Sequence, residues 1–215
     1  MNDPGSNYFD LVSPAHLMLV HASPDTPPLN VLIDDQQVNS DAEPLAYQSR
    51  FPYFSVPGAA LQIDLETASN GETILTRMQQ FQPDQYYTLF VSNMRDQIEF
   101  VALEDDLTGV PNGAKIRLVH LSPDAMAIKA VVQNSAGVDV DVPDWDLLEF
   151  KQSSEFIELT ADNYVFYISE ANGGGLLLTA ATVPLVTGKF YTLYVRGSVH
   201  AEGEQGIGLT LILNR

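Results

Sequence analysis

The feature that most constrains this chain is that it contains the same block twice. Leu17–Asp34 reads LMLVHASPDTPPLNVLID, and Ile116–Gln133 reads IRLVHLSPDAMAIKAVVQ. His21, Ser23, Pro24 and Asp25 recur as His120, Ser122, Pro123 and Asp124, an offset of 99. Phe54–Gly58 ahead of Leu61–Leu65 parallels Ile157–Ala161 ahead of Tyr164–Ile168 at an offset of 103, and Tyr86–Val91 returns as Phe190–Val195 at 104. Three blocks in one order, with slowly growing offsets, describe a duplicated unit with small loop insertions. The polar stretch DDLTGVPNG, Asp105–Gly113, separates the copies. The expected organisation is a polar tether over 1–15, one domain over 16–107 and a second over 113–215.

Within each copy the hydrophobic period is two. Leu61, Ile63 and Leu65 alternate with Ala60, Gln62, Asp64 and Glu66, the pattern of a half-buried strand. Leu17, Leu19 and His21 alternate with Met18, Val20 and Ala22, both sets largely apolar. Strand-like segments recur between Pro, Gly, Asn and Asp clusters, about seven to a copy. The expected fold is all-β: two tandem immunoglobulin-like β-sandwiches, each hiding the inner faces of two sheets from water. One stretch reads two ways. Leu147, Leu148, Phe150, Phe156, Ile157 and Leu159 have the spacing to line one side of a short helix, and the same residues also read as strand and loop.

Composition narrows the function classes. With 10 Lys and Arg against 28 Asp and Glu, the formal charge is −18, so nucleic acid is not an expected partner: phosphate contacts require cations. There is no cysteine, which removes disulfides, thiolate metal sites and a cysteine nucleophile. No uncharged run reaches the length of a membrane-spanning helix. The acidity is uneven: residues 1–110 carry 3 basic and 16 acidic side chains, and residues 111–215 carry 7 and 12.

The repeated H-A-S-P-D-T-P and H-L-S-P-D-A-M openings resemble those of the bacterial "domain of unknown function 4397" repeats. So do Tyr53-Phe54-Ser55-Val56-Pro57-Gly58 in the middle of the first copy and the Tyr87-Thr88 and Tyr191-Thr192 pairs near the end of each. The chain departs from the family pattern at Met126, where proline is usual, at Thr160-Ala161, which replaces a turn ending in glycine, and at Asn30 and Lys129, where aspartate is common. The resemblance implies an exported bacterial protein of the periplasm or cell surface, often lipid-anchored in its precursor, built from immunoglobulin-like sandwiches. It implies no established reaction. The partner expected on this reading is an unidentified protein or glycan.

Three groups of residues are candidates for chemistry. His21, Ser23 and Asp25, with His120, Ser122 and Asp124, have the residue types of a hydrolase or a metal pair. Residues strung along one strand end and its turn do not converge as a nucleophile, base and oxyanion site must. Ser-Pro-Asp is a turn former, so Pro24 and Pro123 mark a corner of the fold used twice, and no catalytic residue is expected. Asp139, Asp141, Asp144 and Asp146 put four carboxylates in eight residues, a candidate calcium loop that lacks EF-hand spacing. Tyr47, Phe51, Tyr53 and the single tryptophan, Trp145, are candidate ligand platforms, with burial in the core as the competing reading. A cation-dependent adhesin or carbohydrate-binding module is therefore the alternative function, and a hydrolase the third.

Overall fold

The computed structural model describes residues 13–40, 42–109, 112–179 and 182–215, so the expected tether lies almost wholly outside the described residues. The chain is all-β, with two single-turn 3-10 helices, Arg95–Gln97 and Gly203–Gln205, among the described residues. It divides into two compact units. One comprises the chain up to His21 and Thr26–Asp105, the other Asp106–Arg215 with Ala22–Asp25.

The first unit runs β1 (Pro14–His21), β2 (Leu29–Ile33), β3 (Gln36–Gln37), β4 (Arg50–Pro57), β5 (Ala60–Thr67), β6 (Thr73–Gln80), β7 (Tyr86–Ser92) and β8 (Glu99–Glu104). These strands form two four-stranded sheets, β4-β1-β7-β8 and β3-β2-β5-β6. Alternate residues of both sheets meet in one core: Leu17 and Leu19 of β1, Leu89 of β7, Val31 of β2, and Ile63 and Leu65 of β5, all fully buried. That is two sheets packed face to face.

The second unit runs β9 (Ala114–His120), β10 (Ile128–Gln133), β11 (Asp139–Val140), β12 (Ile157–Leu159), β13 (Asp162–Glu170), β14 (Leu176–Thr179), β15 (Val183–Leu185), β16 (Phe190–Arg196) and β17 (Gly208–Leu213). Its sheets are β12-β9-β16-β17 and β11-β10-β13-β14, with β15 also on β13. The core draws Ile116 and Leu118 from β9, Ile128 and Val132 from β10, Phe166 and Ile168 from β13, and Leu193 from β16.

The strand orders correspond, and so do the registers. β1 pairs in parallel with β7 from His16↔Tyr86 to His21↔Val91, and β9 with β16 from Lys115↔Phe190 to His120↔Val195. Among the described residues the units hold eight and nine strands against the seven expected; short edge strands such as β3 and β11 are what the period-two pattern does not show. The helix reading of Leu147–Leu159 is corrected. Leu148 exchanges both backbone hydrogen bonds with Ile128, Ser153 bridges Val119, and Ile157–Leu159 is β12. Pairing with neighbouring strands supplies the backbone partners that a helix would have supplied within itself.

Candidate functional site

Each repeated corner begins where the first strand of its unit ends. By alternation His21 shares the core-facing side of β1 with Leu17 and Leu19, and His120 shares that of β9 with Ile116 and Leu118. Both imidazoles are fully buried. The His21 Nε2 lies 3.4 Å from the Pro27 carbonyl, and the His120 Nε2 lies 3.1 Å from that of Met126, six residues on in both cases. A carbonyl only accepts, so each Nε2 carries the proton. The His120 Nδ1 accepts the Ser122 backbone N–H at 3.3 Å. An aromatic ring meets each imidazole edge-on, Tyr47 at 6.0 Å from His21 and Phe150 at 6.2 Å from His120. Burial lowers both basicities: His21 falls to about 4 despite hydrogen bonds to the Pro27 and Thr26 backbone, and His120 shifts the same way.

The serines and aspartates serve the same corners. The Ser122 hydroxyl donates to the Gly197 carbonyl at 2.6 Å and is fully buried, as is Ser23. Pro24 is buried and Pro123 half-buried, each opening a turn whose second residue, Asp25 or Asp124, is exposed. Asp124 accepts from the Ser198 hydroxyl and from the Val199 amide at 3.0 Å. The burial it has pushes the Asp124 carboxyl up, but the hydrogen bonds from Ser198, Val199 and its own amide, together with the nearby His200, hold the group below the usual carboxylate range. In the second corner, the serine hydroxyl is therefore committed to a backbone carbonyl and the imidazole to two backbone groups. The arrangement fastens loops.

The acidic run does not converge. Asp139, Asp141, Asp144 and Asp146 are all exposed, Asp139 accepts from the Gln133 amide at 2.9 Å, and Asp144 sits at a φ of 66°. Among the described residues no three His, Cys, Asp or Glu side chains are grouped to hold a metal ion. Asp144 does line an open cleft of about 380 Å³ with Leu147, Gln152, Ser153 and Glu155.

The aromatic candidates are built into the fold. Trp145 is fully buried and stacks on Phe166 at 6.2 Å, which makes it a core residue of the second unit and not a platform. Phe51 packs half-buried against the first core, as does Phe54 three residues on, an interval that regular alternation forbids. Leu17 pairs with Phe54 and Leu19 with Phe51, so β4 carries one extra residue there, and this bulge turns both rings inward. Tyr53 lies half-buried against Tyr86, and its hydroxyl donates to Asp105 at 2.6 Å.

A family model described as a domain of unknown function, DUF4397, matches residues 15–131, more than half of the chain and both H-x-S-P-D corners. The chain belongs to this family. No curated protein matches it. Among solved structures, one match is the crystal structure of CBMbc, a family CBM26 module from Eubacterium rectale Amy13K in complex with maltoheptaose, at 8% identity and a TM-score of 0.31. The match covers 92% of this chain and 96% of that one, and a likeness so slight carries no argument.

Two sets of residues in this family member escape a reading by residue type. Gln48 and Lys151, at φ of 66° and 73°, turn the chain so that their amides donate to the His21 and His120 carbonyls at 2.8 Å. The only signal for them is their position, 103 residues apart in corresponding loops. Thr88 donates to Asp105 at 2.7 Å and Thr192 to Asn214 at 2.8 Å, so one hydroxyl ties the parallel strand pair to the end of each unit's last sheet strand. Different partner types, carboxylate and amide, hide that equivalence in the sequence.

Proposed function

We propose that this chain is a non-catalytic exported protein of the cell envelope, two immunoglobulin-like sandwiches of about seven principal strands each that present loops to a protein or glycan partner. The observation that carries it is the commitment of the second corner: the His120 ring nitrogens face the Met126 carbonyl and the Ser122 amide, while the Ser122 hydroxyl goes to Gly197. A nucleophile needs its hydroxyl turned to a base, and here both are spent on backbone. Placement in the periplasm or at the cell surface, with a lipid anchor in the precursor, is supported by family resemblance. Activity profiling of the purified chain against ester, amide, glycoside and phosphoester substrates tests the reading. No turnover is expected, and turnover abolished by His120→Ala in a folded variant would overturn it.

A second reading, a cation- or glycan-binding module, is favoured by one observation. The cleft beside Asp144 offers two carboxylates, an amide, a hydroxyl and the exposed Leu147 side chain, the mixture that hydroxyl-rich ligands require. Calorimetry with calcium and with a glycan panel, repeated on Asp144→Ala, decides it: heat lost in the variant supports the module, and no heat with either ligand discards it.

A further inference from the structure

The two units finish on corresponding strands whose outer edges differ in chemistry. β8, EFVALE, closes the sheet β4-β1-β7-β8 and carries a glutamate at each end; β17, GLTLIL, closes β12-β9-β16-β17 and carries no charge. Among the described residues each pairs with a strand on one side only. A free edge presents a row of N–H and C=O groups to any other strand, and proteins blunt such edges with charge, proline, bulges or shortness. The other edges among the described residues carry these devices. β4 has Arg50, Pro52, Pro57 and its bulge, β6 has Arg77, β14 is four residues long and bulged, β15 carries Pro184, and β3, β11, β12 and β15 are two or three residues long. β17 has none, running in unbroken register with β16 from Leu213 opposite Tyr191 to Gly208 opposite Arg196.

We propose that β17 is a self-association edge, on which a second copy of this chain lays its own β17 antiparallel, joining two four-stranded sheets into one across a twofold axis. Self-pairing suits this strand because no like charges meet in it, whereas the same pairing through β8 would set Glu99 of one copy near Glu104 of the other. Leu209 and Leu211 are only partly buried against the core and Leu213 is 40% exposed, so a facing strand covers apolar surface that water now meets. The opposing term is the −18 charge that each copy carries. Salt screens it, as the Debye length falls from about 10 Å at 0.1 M to about 3 Å at 1 M, so pairing strengthens with ionic strength.

Sedimentation velocity on the full chain, from micromolar to millimolar at low and high salt, tests the proposal. A monomer–dimer equilibrium that tightens with salt is expected. Leu213→Lys weakens it about tenfold, by setting a strongly hydrated cation at each end of the joined strands, while Met78→Lys on β6 leaves it unchanged. Hydrogen exchange on the wild-type chain gives an independent readout, with β17 amides more protected at high concentration and β6 amides unaffected. A chain monomeric under all these conditions would overturn the proposal. So would a dimer in which β17 amides exchange as they do in the monomer, whatever Leu213→Lys does.

Discussion

A neutral imidazole enclosed at a strand end makes the corner sensitive to acid. The His21 pKa lies at about 4 in the folded chain against 6.5 for an exposed histidine, so the unfolded state binds the proton first as pH falls. Stability is full above pH 6.5, declines as pH drops towards 4, and is lost from His21 alone by an amount on the order of 3 kcal/mol. His120 adds to this in the same direction. Chemical denaturation at a series of pH values checks it, with His21→Gln flattening the slope; an unchanged slope in that variant would place the acid sensitivity elsewhere. Ser122→Ala strands the buried Gly197 carbonyl and is expected to cost about 1–3 kcal/mol. Trp145→Ala removes the largest side chain of the second core at about 3–5 kcal/mol. As the single tryptophan, Trp145 also reports the wild-type transition by fluorescence.

At the scale of elements, the strands hold together through pairings whose tightest points are backbone turns. Gly197, at φ 81°, lies so close to the carbonyl of Gly206 that an added Cβ would sit 2.1 Å from that oxygen. Gly197→Ala is therefore expected to lower the melting temperature clearly, whereas Gly173→Ala, at φ 83° with nothing within 4 Å, lowers it only by the backbone strain. Equal losses in the two variants would mean that the close approach to Gly206 carries no weight. Gln48→Gly and Lys151→Gly relieve a left-handed conformation and are each expected to be neutral or slightly stabilising in a thermal melt. The bulge in β4 shows what alternation cannot reach: a strand reading places Phe51 and Phe54 on opposite faces, and one inserted residue returns both to the core.

Over the whole molecule, the two units repeat a parallel pairing between their first strand and a strand about seventy residues later, β1 with β7 and β9 with β16. The acid excess of the first 110 residues, 16 against 3, bears on solubility and association more than on folding, which is why the dimer equilibrium is where salt should register. Calcium is expected to leave the melting temperature unchanged, because the exposed aspartates from Asp139 to Asp146 gather no shared site. A calcium-dependent rise that Asp141→Ala and Asp144→Ala abolish would restore the acidic loop as a cation site.

The sequence by itself determined the period of two, the H-x-S-P-D corners and the turns between strands, since each depends on residues within a few positions of one another, and it shows the similar blocks directly. Only the tertiary structure decided which strands became neighbours, that Trp145 lies inside, that four nearby aspartates stay apart, and that β17 ends its sheet uncharged. Those outcomes depend on pairings between residues far apart along the chain, chosen by burying both inner faces at once, and no local pattern encodes that choice.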